Sequence, residues 1–87
     1  MNRALKIAPH VFAREFDGEL VLLDLERGEY FGLDAVGATV WEALGQDGSI
    51  DRAVDAVVAA FEVSREQADA DIRALVDDLL KRGILLG

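Results

Sequence analysis

Cysteine is missing altogether, and histidine, proline, tryptophan, tyrosine and methionine occur once each. Without cysteine there is no disulfide framework, no thiolate zinc site and no cysteine nucleophile. This absence fits a reducing cytoplasm, which is the expected location. With one histidine, neither Ser49 nor Ser64 has the partner that a hydrolytic triad needs. His10 has no second ligand type clustered beside it and reads as a surface or loop residue, not a base or a ligand. Long apolar runs are missing too: none approaches the roughly 20 residues that span a bilayer. The start, Met1 to Lys6, lacks the apolar stretch of a signal peptide, so no membrane partner is expected.

Positive charge is scarce. Nine basic residues face 17 acidic ones, for a net charge of −8. Such a surface repels phosphate backbones, which argues against nucleic acid as a partner. The acidic residues do not form a catalytic constellation. Asp69 with Asp71, and Asp77 with Asp78, fall on different faces of a helix. Glu15, Glu19 and Asp24 have no second ligand set, so no metal is expected. Gly45-Gln46-Asp47-Gly48 is not a phosphate loop, because no lysine follows it and no strand precedes it. The expectation is a binding protein without catalytic residues, metal or cofactor.

What the chain does have is pattern. Its 87 residues are 52% hydrophobic and 30% charged, a globular composition. One domain spanning 1–87, with a small core, is expected. Leu5 and Ile7 suggest a short strand or arm, interrupted by Pro9. Val11 to Phe16 reads as a strand, Asp17-Gly18 as a two-residue hairpin turn, and Glu19 to Leu25 as the returning strand. Alternation puts Val21, Leu23 and Leu25 on one face, while Asp24 and Glu26 mark the other as wet at that end. Glu26-Arg27-Gly28 turns the chain into a third strand, Glu29 to Leu33. The result is an antiparallel meander ending in an open edge.

Helices follow. Asp34 is an N-cap for a helix over Ala35 to Leu44, with Val36, Val40, Trp41 and Leu44 facing the core. Gly37 inside that helix suggests close packing of another backbone. After a loop at Gly45-Gln46-Asp47-Gly48, Ser49 caps a second helix from Ile50 to Phe61, whose stripe is Ile50, Val54, Val57, Val58 and Phe61. Ser64 and Gln67 match a capping box for a third helix, Arg65 to Arg82, which is roughly 27 Å long at 1.5 Å per residue. Gly83 stops it, and Ile84-Leu85-Leu86 forms an apolar tail expected to dock on the body. The fold class is therefore α+β: a three-stranded antiparallel sheet followed by three helices packed on one of its faces.

The third helix is wider than its core seam requires. At about 100° per residue, Ala68, Ile72, Leu75 and Leu79 cluster within roughly 60°, whereas Val76 and Leu80 lie to one side with Asp69 and Arg73. A mixed face of Asp69, Ile72, Arg73, Val76 and Leu80 beside an open strand suits strand addition, in which a peptide gains backbone hydrogen bonds and drops alternate side chains into a groove. A buried helix with a broad stripe, or a tail covering Val76 and Leu80, would give the same wheel.

The stretch from Leu22 to Leu44, LLDLERGEYFGLDAVGATVWEAL, and the stretch from Asp69 to Leu85, DADIRALVDDLLKRGIL, resemble the PqqD-like family. These are the precursor-peptide recognition elements of ribosomally made, modified peptides. The resemblance runs from about residue 9 to residue 86, and it is carried by the order and spacing of short motifs. It implies a winged helix-turn-helix-like fold that binds the leader of a precursor peptide. The leader would add to Glu29, Tyr30, Phe31, Gly32 and Leu33 and lie against Asp69, Ile72, Arg73, Val76 and Leu80. The freestanding size is similar to that of lasso-pathway recognition proteins, which work beside a separate leader peptidase, and Gly28 to Asp34 looks closer to that type. Two alternatives are a chaperone partnering a radical-SAM enzyme, as in pyrroloquinoline quinone synthesis, and a winged-helix DNA-associated module. As to assembly, a monomer or a weak homodimer is expected.

Overall fold

The computed structural model describes residues 4–17 and 19–87. In chain order these form β1 (Lys6–Ile7), β2 (Val11–Phe16), β3 (Glu19–Asp24), β4 (Glu29–Leu33), α1 (Ala35–Asp47), α2 (Ile50–Ala60), α3 (Arg65–Lys81) and β5 (Leu85–Leu86). Strands β2, β3 and β4 make the expected antiparallel meander, in the order β2-β3-β4. Three helices follow it, the expected α+β arrangement, for which winged helix-turn-helix is a loose description. Phe16 pairs with Glu19 across the first hairpin. Asp17 in that connection adopts φ 49°, while Gly18, the other residue of the expected turn, lies outside the described residues.

The register shows which face of the sheet is buried. Leu20, Leu22 and Asp24 lie opposite Leu33, Phe31 and Glu29 on β4, and directly paired residues share a face. Leu22, Leu33 and Asp24 are buried on that side, with Leu20 and Phe31 packed against the core. This corrects the sequence reading, which had Val21, Leu23 and Leu25 sharing the apolar face and Asp24 wet. Leu25 is 64% exposed and Asp24 only 5%. Leu20 to Leu23 are apolar on four successive positions, so alternation cannot pick a face. Asp24 tolerates burial because its Oδ1 accepts the amides of Glu26 and Arg27 at 3.0 and 3.1 Å, closing the β3–β4 turn. His10 stands beside it, Nε2 3.6 Å from Asp24 and Nδ1 3.3 Å from Glu26. The opposite face carries Phe12, Leu23 and Tyr30 in one cross-strand row, with no layer against it among the described residues.

Each helix starts on a side-chain cap. Asp34 Oδ1 accepts the Gly37 amide at 2.8 Å, Ser49 Oγ that of Arg52 at 3.2 Å, and Ser64 Oγ that of Gln67 at 3.1 Å. Only half of the expected capping box forms, because the Gln67 amide group donates to Asp71 at 2.9 Å instead of turning back. Helix α1 continues through Gly45, Gln46 and Asp47, which the sequence reading placed in a loop. It stops at Gly48, with φ 70° and an amide donated to the Leu44 carbonyl at 2.8 Å. A close backbone approach of the kind expected at Gly37 is found at Gly48, where a Cβ would collide with the Leu5 backbone; the nearest neighbours of a Cβ on Gly37 are side-chain atoms of Leu33 and Asp34. The Leu5 amide also donates to the Gly48 carbonyl at 3.0 Å, tying the N-terminal arm to the end of α1.

Helix α3 ends in a Schellman motif. The Gly83 amide donates to Leu80 at 3.1 Å and the Ile84 amide to Leu79 at 3.0 Å, with Gly83 at φ 75° and Leu79 and Ile84 both buried. The tail then forms β5, which pairs antiparallel with β1 (Lys6 with Leu86, Ile7 with Leu85). The tail docks on the body as expected, with Ile84 and Leu85 buried, and it also pairs with the arm, which the sequence reading did not foresee. The core is drawn from all layers: Val11, Leu22 and Leu33 from the sheet; Val40, Trp41 and Leu44 from α1; Ala53, Val54 and Val57 from α2; Ile72, Val76 and Leu79 from α3.

Candidate functional site

Strand β4 has one partner, β3; its other edge pairs with no strand among the described residues. Alternate residues of β4 therefore present unpaired backbone N–H and C=O groups on that outer edge. Along that edge lies a groove of about 420 Å³, lined by Phe31 to Asp34 of β4 and the α1 cap, Val36, Gly37 and Val40 of α1, and Asp71, Ile72 and Leu75 of α3. Its walls are mainly apolar side chains, and its polar members are the two aspartates. The β4 residues that reach the helical layer are the odd-numbered ones, by the two-residue strand period. Tyr30, on the alternate face, is 79% exposed.

A smaller recess continues the groove toward the start of β4. It holds about 10 Å³ and is lined by Leu22, Asp24, Glu29, Tyr30, Phe31, Arg82 and Ile84. Phe31 belongs to both recesses. The Arg82 guanidinium sits 4.8 Å from the centre of its ring, a cation–π distance. Arg82 Nε donates to both oxygens of Asp78 at 3.2 Å, which holds the guanidinium in place.

The ten residues named from the sequence divide between two places. Glu29 to Leu33 form the open strand, and Ile72 lines the groove while being almost fully buried. Asp69, Arg73, Val76 and Leu80 are not among the residues that line either recess. Arg73 Nε donates to Asp69 at 2.9 Å. That hydrogen bond and the Asp69 charge raise the guanidinium above its ordinary pKa, with a further contribution from Asp51 at the start of α2. Asp51 thus lies near Arg73, and α2 also meets α3 through the 2.7 Å Arg65–Asp55 pair. Val76 is a core residue, and Leu80 stands beside the chain's last residue, Gly87.

Residues that sequence reasoning missed are Asp71, Leu75 and Arg82 on the opposite flank, and Asp34, Val36, Gly37 and Val40 across the groove. The wheel held part of this signal. Relative to Ile72, Leu75, Arg82, Asp71 and Asp78 fall to one side and Asp69, Arg73 and Leu80 to the other, at about 100° per residue. Which side meets the sheet depends on where α2 packs. Among the described residues no group of acidic and histidine side chains is placed to hold a metal ion, and no helix is long and apolar enough to cross a membrane.

An α+β unit with an open strand beside an apolar groove has the geometry that strand addition of a peptide uses. The chain belongs to the PqqD family: the model of coenzyme PQQ synthesis protein D matches residues 19–85. Two solved structures are similar over nearly the whole chain. TbiB1 in complex with the TbiA(beta) leader peptide is 38% identical, covers 94% of this chain and 95% of its own, and superposes with a TM-score of 0.87. A lasso peptide synthetase B1 complexed with the leader peptide is 29% identical, covers 98% of this chain and 100% of its own, with a TM-score of 0.88. No curated protein matches the chain.

Proposed function

We propose that this protein binds the leader segment of a ribosomally made precursor peptide. The leader adds as a fourth strand to β4 and places alternate side chains in the groove against α1 and α3. The protein then presents the leader to a separate maturation enzyme, in the first instance the leader peptidase of a lasso-peptide pathway. It acts by binding; the chemistry belongs to its partner.

One observation carries the reading: the outer edge of β4 has no strand partner among the described residues, and its inward side chains open onto an apolar groove. In most sheets an exposed edge is blunted or covered. Here the groove supplies side-chain pockets and the edge supplies main-chain partners, the two components of peptide capture. The leader complexes of the two similar structures support the same reading. The proposed contact set is Glu29 to Leu33 with Val36, Ile72, Leu75 and Arg82. Asp69, Arg73, Val76 and Leu80 take no direct part.

The test is a titration of the ¹⁵N-labelled protein with synthetic TbiA(beta) leader peptide, with a scrambled peptide as control. The expected result is saturable shifts of the Phe31 to Leu33 amides together with Val36 and Leu75. Shifts confined to Asp69, Arg73 and Leu80, or identical responses to the scrambled peptide, would overturn it. A second reading, carriage of a precursor in quinone-cofactor synthesis, draws on the description of the family model. A pull-down with purified leader peptidase and radical-SAM enzyme as competing partners separates the two. The DNA-associated alternative is disfavoured by the net charge of −8.

A further inference from the structure

We infer that the peptide segment this groove selects is an apolar strand flanked by lysine or arginine side chains. The inference rests on the peptide-binding reading above and names the charge class of its ligand. The open strand and the apolar groove define the site; the carboxylates around it decide what charge the guest carries.

Three exposed carboxylates stand along the groove: Asp34 and Asp71 at the α1 end, and Glu29 at the other. Asp34 uses one oxygen on the Gly37 amide and Asp71 one on the Gln67 side chain. Both partners are neutral donors. Among the described residues, none of the three has a basic side chain in ion-pair contact. Asp24, buried in the smaller recess, adds a fourth carboxylate with His10 beside it. Among the described residues the one cation lining either recess is Arg82, and Asp78 already pairs with it through both oxygens. The trough therefore has an apolar floor and a negative rim, inside a chain of net charge −8. An acidic residue next to the guest's apolar anchors meets like charge at both ends, whereas a basic one meets opposite charge and is steered in from a distance.

The spacing follows from the strand. Inward side chains of an added strand recur every second residue, about 6.6 Å apart. Phe31 and Leu33 mark two such positions on β4. The guest therefore carries apolar residues at i and i+2, with basic residues outside that pair.

The experiment selects binders from a phage-displayed library of random short peptides, using the full-length protein as bait. Selected sequences are then resynthesised with each flanking basic residue changed to glutamine or glutamate. The expected outcome is enrichment of Lys and Arg beside an apolar i, i+2 pair, and an affinity loss of about tenfold on Lys-to-Glu replacement at low salt. That loss shrinks in 1 M salt, where the screening length is about 3 Å. The triple variant Glu29→Gln, Asp34→Asn, Asp71→Asn no longer distinguishes the Lys and Glu peptides; asparagine at position 34 keeps a competent helix cap. Selected peptides that shift Phe31 to Leu33 and Leu75 but bind equally well, or better, with glutamate would overturn the charge inference and leave peptide binding standing. Selected peptides that never shift those residues would overturn both.

Discussion

The two flanks of α3 carry nearly the same chemistry and meet different surroundings. One holds Asp71, Leu75, Asp78 and Arg82; the other holds Asp69, Arg73, Val76 and Leu80. Each has an arginine paired four residues back, Arg82 with Asp78 and Arg73 with Asp69, and each has apolar positions beside the core seam. On the first flank Leu75 lines the groove and Arg82 leans over Phe31. On the second, Arg73 lies toward α2 and Leu80 beside the C-terminal residue. What distinguishes the flank proposed to bind is not its own composition. It is the neighbour: one side adjoins a strand with unmade hydrogen bonds, the other a helix whose bonds are complete.

Substitutions can break or sharpen that contrast. The largest effect is expected between the flanks, at the seam. Ile72→Ala removes a fully buried side chain and should cost about 2–5 kcal/mol of stability, read from the urea midpoint. A loss well under 1 kcal/mol would mean that α3 is packed differently and that the flanks are misassigned. Next come the matched apolar changes. Leu75→Glu puts a charge on the groove wall and should weaken leader binding by about tenfold or more, equivalent to about 1.4 kcal/mol. Leu80→Glu should leave the affinity unchanged, and calorimetry on the pair would show the contrast directly. If Leu80→Glu were the damaging one, the peptide would lie on the α2 side. The smallest effects belong to the arginines. Arg82→Ala loses the contact with Phe31 and should lower affinity by about two- to fivefold, in line with an exposed cation–π pair of roughly 0.5–1 kcal/mol. Arg73→Glu should change neither affinity nor the chemical shifts of Phe31 to Leu33, since its guanidinium answers to Asp69 and Asp51.

Much of the fold was legible because local chemistry and global arrangement agree. Caps at Asp34, Ser49 and Ser64, the turn at Glu26-Arg27-Gly28 and the stop at Gly83 set the element boundaries through side-chain and backbone hydrogen bonding, which are properties of neighbouring residues. The misreadings fall where a distant element decides. Leu20 to Leu23 could face either way until the helices cover one side. Gly45 to Asp47 stay helical up to the left-handed stop at Gly48, where the distant arm at Leu5 meets the end of α1. The strand half of the candidate site, Glu29 to Leu33, could be read from its position at the end of the meander. The helix half needed the location of α2, and the wheel holds no information on that.

The pairing of β1 with β5 has a consequence for how such a unit can be used in larger chains. With Lys6 opposite Leu86, the polypeptide enters and leaves at the same spot, one interstrand spacing apart. A domain of this topology can be spliced into a loop of another protein, or have its ends joined and reopened elsewhere, with little distortion of the host backbone. The groove need not be rebuilt in either case, because none of its lining residues belongs to β1 or β5. Recognition and attachment are thus separable in this architecture.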